Sequence, residues 1–384
     1  MDQASEEIKK VFQQRYQSTP IIVQSPGRIN LIGEHTDYNE GFVLPAAIDK
    51  AIIVGIQERK DNQVCLYAME FEQEFIVPLD KIEKTKLRWP GYILGVVDQL
   101  QKRGFAVRGF NLVLGGNVPI GAGVSSSAAV ECATAFALNE LFGFGISKLD
   151  MVKIAQKAEH DFAGVKCGIM DQFASMFGQE NKVISLDCRS LEYEYFPIEM
   201  KGLKIVLLDT NVKHSLASTQ YNVRREQCEK GVVMVQQKYP AVKSLRDVTL
   251  AMLDECVTNE PLVYHRCKYV IEENIRLQEG CKDLAKGDLK AFGQKMFKTH
   301  DGLSKEYEVS CKELDFLVEQ VRNDEHVIGA RMMGGGFGGC TINLVKEEAI
   351  PELVSRLSKV YKENMGLELK HYIIAIKDGT HRVV

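Results

Sequence analysis

A group of four polar side chains falls within ten positions near the N-terminus: Arg28, Glu34, His35 and Asp37. Glycines and prolines surround them in the segment PGRINLIGEHTDYNEGFVLPAAID. So dense a polar set suits a sugar, because each sugar hydroxyl that leaves water needs a hydrogen-bond partner in the protein. A solvent-exposed turn would have a similar composition, and this segment alone leaves both interpretations open.

Two carboxylates, Glu159 and Asp171, lie in a second polar segment, AEHDFAGVKCGIMDQFASMFG. A carboxylate beside a substrate hydroxyl can accept its proton or hold the hydroxyl for attack. Asp171 is also followed by Gln, Phe and Ala, which suits a residue that caps the start of a helix. Its position in the sequence does not separate the catalytic role from the capping role.

A strand at 110–114, a glycine-rich turn at 115–124 and a helix at 125–142 are predicted next to one another. Gly121 and Gly123 would shape the turn and let backbone amides approach a phosphate, which the N-terminus of the following helix also favours. The motif is not a P-loop, since no lysine occupies the required place. The alternative is that the serines at the helix start only cap it.

The run GGGFGG places Gly334, Gly336 and Gly339 at the spacing of a dinucleotide-binding fingerprint. That fingerprint needs a strand before the glycines and a helix after them. The sequence predicts the opposite order, a helix over HVIGARMM and a strand over CTINLV, which argues against a dinucleotide site. We predict a loop whose backbone closely approaches a ligand or the other lobe, with a purely structural tight turn as the alternative.

The composition is that of a soluble globular protein. The chain has 384 residues, is 45% hydrophobic and carries a formal net charge of -4. A basic excess that would attract nucleic acid or an anionic membrane is not evident. The charged N-terminus has no apolar core of signal-peptide length, and the ten cysteines include no CxxC pair. We therefore expect a cytoplasmic protein with reduced thiols, no nucleic-acid partner and no membrane partner.

Strands and helices are interleaved without a sustained run of βαβ units, which predicts an α+β protein with two lobes. We place an N-terminal lobe at 1–190 and a C-terminal lobe at 191–384. The other predicted helices are 5–16, 89–103, 148–162, a largely helical stretch over 213–325, and 347–364. The other predicted strands are 21–23, 51–57, 73–78, a pair within 182–198, 204–212 and the segment HYIIAIK.

Three segments together resemble the GHMP kinase superfamily and, within it, the galactokinases. GRINLIGEHTDYNEGFVLP resembles the galactokinase signature, VPIGAGVSSSAAVE the ATP-phosphate loop, and MMGGGFGGCTINLV the C-terminal glycine loop. Further similar stretches, such as DTNVKHSLASTQYNVRREQC, extend the resemblance over nearly the whole chain. It implies a two-lobed GHMP kinase fold with the active site between the lobes.

The resemblance also implies roles for individual residues. Asp171 would be the catalytic carboxylate that faces the sugar's 1-hydroxyl, and Arg28 would lie between it and the phosphates. Asp37 would contact the far edge of the sugar, including the axial 4-hydroxyl that distinguishes galactose from glucose. The full set implied to contact the sugar is Glu34, His35, Asp37, Gly168 and Tyr221.

The cofactors implied by the resemblance are ATP and Mg²⁺. Trp89 and Tyr92 would line the adenine pocket, and Ser126 or Ser127 would lie with Glu159 near the metal. The loop implied to wrap the phosphates comprises Pro119, Gly121, Ala122, Gly123, Val124, Ser125, Ser126 and Ser127.

The implied activity is transfer of the γ-phosphate of ATP to the 1-hydroxyl of galactose, giving galactose 1-phosphate and ADP, the first step of galactose catabolism by the Leloir pathway. Galactose and ATP would be the only partners of a monomeric enzyme. A non-catalytic sensor of galactose and ATP, or a kinase acting on N-acetylgalactosamine, are the alternatives. The intact SSSAA segment, together with Arg28 and Asp171, argues against a sensor, and the close HTDYN match favours galactose.

Overall fold

The computed structural model describes residues 3–212 and 217–383. Residues 213–216, where the predicted largely helical stretch begins, lie outside the described residues. The helices are α1 Gln3–Tyr16, α2 Arg88–Lys102, α3 Ser126–Phe142, α4 Lys148–Ala158, α5 Met170–Phe177, α6 Ala217–Gln236, α7 Leu250–Cys256, α8 Pro261–Ala285, α9 Leu289–Lys305, α10 Lys312–Val321 and α11 Ile350–Met365. The strands are β1 Ile21–Asn30, β2 Phe42–Val43, β3 Pro45–Glu58, β4 Gln63–Ala68, β5 Gln73–Pro78, β6 Phe110–Gly116, β7 Lys182–Asp187, β8 Tyr193–Pro197, β9 Leu203–Asp209, β10 Val327–Met332, β11 Cys340–Lys346, β12 Lys370–Ile374 and β13 His381–Val383.

The first large sheet has six strands in the order β13-β1-β3-β6-β4-β5. Side chains alternate between its two faces, as the period of a strand requires. Val23 and Val54 belong to the core shared with helices α2 to α5, whereas Ile22 and Ile53 pack against helix α1 on the opposite face. Both faces of the sheet are therefore covered, and β1 and β3 lie near its middle.

The second large sheet is antiparallel throughout and has the order β10-β11-β9-β12. Val206 and Leu208 face the core that includes Tyr361 of helix α11. Ile205 and Leu207 face the opposite way, into a core shared with residues of β1 and β3. The two large sheets are thus joined by common apolar packing.

The C-terminal strand returns to the first sheet, where Val383 pairs with Ile22 of β1. The small sheet β2-β7-β8 also extends across residue 190. Strands β13 and β8, which follow residue 190 in the chain, therefore pair with strands that precede it. The lobe boundary near residue 190 stays a prediction. Within the described ranges, no helix combines the length and apolar character that crossing a bilayer requires.

The predicted helix over HVIGARMM is wrong, because these residues include strand β10, which pairs with β11. Alanine, arginine and methionine favour helices, but pairing in the sheet outweighs this local preference. A β-carbon on Gly329 would lie only 2.5 Å from Gly293 of helix α9, so the helix crosses the strand at very short range. The glycine run now connects two strands, and the strand–glycine–helix order of a dinucleotide site is still not met.

Candidate active site

A cavity of about 360 Å³ opens between the first sheet and the C-terminal glycine loop. Its walls come from the end of β1, the loop before α3, the start of α5, helix α6 and the loop between β10 and β11. Of the residues singled out in the sequence, it brings together Arg28, Glu34, His35, Asp37, Pro119, Gly121, Gly123, Val124, Ser125, Ser126, Ser127, Glu159, Asp171 and Tyr221. Most of the site inferred from the sequence therefore faces one cavity.

At the centre of the cavity Arg28 and Asp171 form a bidentate ion pair. Arg28 Nε donates to Asp171 Oδ1 at 2.7 Å, and Arg28 Nη2 donates to Oδ2 at 3.0 Å. Arg28 Nη1 donates to the carbonyl of Gly123 at 2.6 Å, in the loop before helix α3. The Arg28 side chain is only 5% exposed, whereas that of Asp171 is 23% exposed and reaches the cavity. The pair thus joins the carboxylate to the glycine-rich loop.

Ser125 adds a further contact to this carboxylate. Its hydroxyl donates to Asp171 Oδ2 at 2.5 Å, and its backbone has a left-handed conformation with φ of 56°. The side chain makes no capping bond at the start of helix α3. Asp171 is the second residue of α5 and receives its bonds from Arg28 and Ser125, so the structure assigns the capping role to neither residue. Strained backbone of this kind is typical of functional sites.

Glu34 is buried on the wall of the cavity formed by the loop that follows β1. Its Oε1 accepts from Arg331 Nη2 at 3.1 Å and from the Gly334 amide at 2.7 Å, and its Oε2 accepts from Asn30 Nδ2 at 3.0 Å. Burial alone would raise the pKa of the Glu34 carboxyl, but the charges of Arg331 and Arg28 hold this pKa below its usual value. Glu34 is therefore an ionised, oriented hydrogen-bond acceptor.

His35 lies within a group of aromatic rings beside the same wall. Its ring centroid is 5.2 Å from that of Tyr221 and 5.0 Å from that of Tyr307. His35 Nδ1 is 2.8 Å from the hydroxyl of Tyr38, which is 2.7 Å from that of Tyr307. Burial lowers the pKa of the His35 imidazole to about 4. The ring is consequently neutral at pH 7 and fixed in orientation.

Asp37 completes the polar half of the cavity. Its Oδ1 accepts from the Tyr38 amide at 2.9 Å. Burial, with a smaller contribution from the Asp171 charge, raises the pKa of the Asp37 carboxyl to about 7. Gly168 packs directly against it: a β-carbon at Gly168 would lie 2.0 Å from Asp37 Oδ2. The contact of Gly168 with the sugar stays a prediction, since Gly168 is not among the residues that line the cavity. The structure shows that its missing β-carbon gives Asp37 its space.

The glycine-rich loop contacts both β1 and the C-terminal glycine loop. The Arg28 amide donates to the carbonyl of Val124 at 3.1 Å. A β-carbon on Gly334 would lie 3.2 Å from the carbonyl oxygen of Gly123, so the two glycine loops touch. Gly334 lines the cavity and contacts this loop, so the GGG run makes the close backbone approach that the sequence predicts, and its contact with a ligand stays a prediction. Helix α3 then directs its N-terminus at the cavity, a favourable place for an anion.

The residues predicted to lie near Mg²⁺ meet at one side of the cavity. Ser127 Oγ donates to Glu159 Oε1 at 2.9 Å, and Ser126 lines the cavity beside it. Glu159 begins a π-helical turn that continues α4, a local irregularity common at functional sites. Burial and the nearby Asp171 charge raise the pKa of the Glu159 carboxyl to about 7, and an adjacent cation would favour its ionised form.

This donor set suits a magnesium ion that is held together with a nucleotide. In the described ranges, no three or more His, Cys, Asp or Glu side chains are grouped so that they could hold a metal. Mg²⁺ commonly keeps several waters and binds one or two protein oxygens together with substrate phosphates. One carboxylate and two hydroxyls at a helix N-terminus fit that pattern.

A smaller cavity of about 120 Å³ shares Arg88 and Val165 with the larger one. Tyr92 lines it, as expected of a residue in an adenine pocket. Trp89 is buried in the core instead, and its indole nitrogen donates to Gln73 Oε1 at 3.1 Å. Tyr92 is thus the aromatic residue of this predicted pair that the structure brings to the smaller cavity.

Several cavity residues were not singled out from the sequence: Arg88, Val165, Cys167, Met170 and Gly335. Ala122, which was singled out, belongs to the loop but is fully buried and does not line the cavity. Arg88 stands one residue before Trp89 and the helix predicted at 89–103, so its place beside the predicted adenine pocket was a signal that could have identified it. Cys167 and Met170 flank Gly168 and lie within the same polar segment as Asp171. The sequence therefore identified this polar segment as part of the site, but not which of its other side chains line the cavity.

Family descriptions match three stretches of the chain. Residues 91–179 match the GHMP kinases N terminal domain, and residues 281–363 match the GHMP kinases C terminal. Residues 10–58 match the Galactokinase galactose-binding signature, which contains the polar cluster around Glu34. Fold and site therefore define a kinase of the GHMP superfamily.

Individual relatives narrow the assignment. The chain is 42% identical to the galactokinase of Thermotoga maritima over 94% of its length and 99% of the relative's. It is 39% identical to that of Clostridium acetobutylicum over 98% of both chains. A crystal structure of Lactococcus lactis galactokinase complexed with galactose superposes with a TM-score of 0.94 and 33% identity, covering 98% of this chain and 99% of that one. The chain belongs to the galactokinase family.

More distant structures share the fold alone. The mevalonate kinase of Methanococcus jannaschii superposes with a TM-score of 0.67 at 18% identity, over 94% of this chain and all of that one. The two-lobed α+β fold expected from the sequence is confirmed.

Proposed function

We propose that this chain transfers the γ-phosphate of ATP to the 1-hydroxyl of galactose, giving galactose 1-phosphate and ADP. The Arg28–Asp171 pair is the observation that carries the proposal, because it lies between the polar cluster and the glycine-rich loop. A sugar on one side and a triphosphate on the other would meet at this pair. Membership of the galactokinase family supports the choice of substrate.

Galactose would occupy the polar half of the cavity. Glu34 and Asp37 would accept hydrogen bonds from its hydroxyls, with Asp37 contacting the axial 4-hydroxyl. His35 and Tyr221 would bound the same half, and Gly168 would approach the ring with its backbone. Such a site rejects sugars that leave its buried acceptors unpaired, which is a strong source of specificity.

The triphosphate would lie along the loop from Pro119 to Ser127 and against the N-terminus of helix α3. Ser126, Ser127 and Glu159 would hold Mg²⁺, which when bound neutralises phosphate charge. The adenine would extend toward Tyr92 and the smaller cavity. The catalytic contribution of the protein would be mainly positioning and charge stabilisation, as is usual for phosphoryl transfer.

Asp171 would accept the proton of the 1-hydroxyl or hold that hydroxyl for in-line attack on the γ-phosphate. Arg28 would fix the carboxylate through two bonds and face the transferring group with its positive charge. Ser125 would hold Oδ2 through its hydroxyl. Attack would be direct, with no covalent phospho-enzyme.

A coupled ADP-release assay with MgATP and galactose, N-acetylgalactosamine, glucose or mevalonate tests the proposal. We expect turnover on galactose alone, at roughly 1–100 s⁻¹. Turnover on N-acetylgalactosamine in preference to galactose would replace the proposed substrate. Galactose binding without turnover on any of the four would indicate a sensor instead.

The cytoplasm is the compartment we propose, and a monomer the assembly. All ten cysteines are free, which suits a reducing environment. Light scattering after size exclusion tests the monomer directly.

Gly168→Ala is expected to raise the KM for galactose about ten- to a hundredfold. The added β-carbon would lie 2.0 Å from Asp37 Oδ2, so the carboxylate must leave its position. Hydrogen bonds to charged groups contribute about 1.5–3 kcal/mol, and each ~1.4 kcal/mol corresponds to a factor of ten. Steady-state kinetics at saturating MgATP measure the effect. Gly366→Asn is the control, because Gly366 lies at the end of helix α11, an added β-carbon there meets nothing within 4 Å, and asparagine tolerates its left-handed backbone. An unchanged KM in Gly168→Ala would refute the proposed role of Asp37.

The KM for galactose is expected to fall as the pH rises from 6 to 8. The pKa of Asp37 is about 7, and only the ionised carboxylate accepts hydrogen bonds through both oxygens. About a tenth of the site is ionised at pH 6, so KM there should be about tenfold higher than its plateau above pH 8. Asp37→Asn should remove this dependence, which separates it from the titration of Glu159. A KM for wild-type protein that is flat over this range would contradict the expectation.

A further inference from the structure

A second buried arginine, Arg331 of strand β10, lies behind the sugar half of the cavity. Its side chain is completely buried, and its carboxylate partner Glu34 is 2% exposed. Arg331 does not line the cavity, and the chemistry proposed above makes no use of it. An arginine buried to this degree needs a partner for its charge and for its N–H groups.

Backbone carbonyls hold the guanidinium of Arg331 in one orientation. Its Nε donates to the carbonyl of Leu31 at 2.7 Å, its Nη1 to that of Met332 at 2.5 Å, and its Nη2 to that of Asn30. The same Nη2 also donates to Glu34 Oε1 at 3.1 Å. Backbone carbonyls therefore fix the planar guanidinium of Arg331 independently of its bond to the Glu34 carboxylate. A lysine could not reproduce this set of bonds.

The contacts of the Glu34 carboxylate leave it one acceptor position for a hydrogen bond from a ligand. A carboxylate offers about four acceptor positions. Oε1 uses two of them for Arg331 and the Gly334 amide. Oε2 uses one for Asn30 Nδ2. Because Glu34 lines the cavity, the remaining position on Oε2 is available to a group inside it.

We propose that Arg331 is a positioning residue for galactose, which holds the Glu34 carboxylate ionised and oriented so that Oε2 accepts a hydrogen bond from a sugar hydroxyl. Through Gly334, two residues before Gly336, the same arrangement ties the C-terminal glycine loop to the sugar site. This inference rests on the proposed function, since galactose is taken as the ligand. A residue of β10 that does not line the cavity would thus contribute to the affinity for galactose.

Arg331→Lys tests the inference, since it retains the charge and removes the fork. We expect the KM for galactose to rise about tenfold or more, while the KM for MgATP changes less than twofold. Arg266→Lys is the matched control, because Arg266 is also buried and bonds Glu308 Oε2 and the Glu306 carbonyl, away from the cavity. A purely structural role would lower the melting temperature and the active fraction in either variant without this selective change in KM.

A double-mutant cycle shows whether Arg331 acts through Glu34. In a Glu34→Gln background, Arg331→Lys should change the KM for galactose less than twofold further, because contacting residues are not additive when one acts through the other. Arg331→Met alone leaves a buried carboxylate unpaired, and its failure to fold would not bear on the question. If Arg331→Met alone does not fold, the double variant Glu34→Gln with Arg331→Met removes both charges, and its KM for galactose is compared with that of Glu34→Gln alone.

Two results would overturn the inference: an unchanged KM for galactose in Arg331→Lys, or fully multiplicative effects of Arg331→Lys and Glu34→Gln. Both are read against a wild-type protein that turns over galactose. Absence of galactose turnover in the wild type is a different result, which would reject the proposed function before Arg331 is considered.

Discussion

Asp171→Asn is expected to lower kcat for galactose by about 10³-fold, within the range that general acid–base groups contribute. Asparagine keeps the shape of the side chain and can still accept from Arg28 or Ser125, but it cannot take the proton of the 1-hydroxyl. The KM for galactose and the affinity for MgATP should change little, because the sugar acceptors and the glycine-rich loop remain in place. Steady-state kinetics with a melting curve measured with and without MgATP provide the measurement.

Asp161→Asn is a suitable control for this change. Asp161 lies on the π-helical turn and bonds Lys157 and Gln99 rather than any group in the cavity. It should keep kcat within about twofold, as surface substitutions usually do. Asp171→Ala should also abolish transfer, although it leaves the buried Arg28 without its partner. Turnover of Asp171→Asn at the wild-type rate would reject Asp171 as the catalytic carboxylate.

Arg28→Met is expected to lower kcat/KM by about 10³-fold or more, the lower end of the effect of arginines that stabilise a transferring phosphoryl group. Methionine has a similar length but removes the charge, both bonds to Asp171 and the bond to the Gly123 carbonyl. Catalysis therefore loses charge stabilisation and the fixed position of the carboxylate together. Single-turnover kinetics at saturating substrates separate this loss from any change in binding.

Arg28→Lys shows which part of the effect belongs to the charge. Lysine keeps a positive charge but contacts one acceptor at a time, so we expect an intermediate rate. If Arg28→Met retains its fold and stays within tenfold of the wild type, Arg28 has no role in the transfer step. Equal rates in the two variants would instead assign the effect to the lost fork geometry.

The main parts of the site could be predicted from the sequence because each is encoded locally. The polar cluster from Arg28 to Asp37 occupies one continuous segment, and the glycine-rich loop stands between a recognisable strand and helix. The predicted strand at 110–114 and helix at 125–142 correspond to β6 and α3. Short-range patterns of this kind report local structure and place each chemical group on its element.

The pairing of strands that are far apart in the chain could not be predicted from the sequence pattern. Strand β13 is too short to be identified by alternation, and its partner β1 lies at the other end of the chain. Strand β10 contains the helix-favouring residues Ala330, Arg331 and Met332, and it becomes a strand through pairing with β11 and packing against helix α9. In both cases tertiary contacts outweigh local propensity.

The contacts of individual side chains were similarly hidden. Ser125 was expected to bind phosphate or to cap helix α3, and the structure directs its hydroxyl to Asp171, 46 residues away. Arg331 was not identified from the sequence as a residue of the site, yet its side chain donates a hydrogen bond to Glu34, 297 residues away. Such pairs become visible only when the fold brings the two segments together.

The most direct test of the account is to follow MgATP and galactose with the wild-type protein by phosphorus NMR, which identifies the phosphorylated position. We expect one sugar phosphate, at the 1-position of galactose, formed in equal amount with ADP and formed at a strongly reduced rate by Asp171→Asn. Phosphate on another hydroxyl, or ADP released with free phosphate and no sugar phosphate, would contradict the placement of the 1-hydroxyl between Asp171 and the glycine-rich loop.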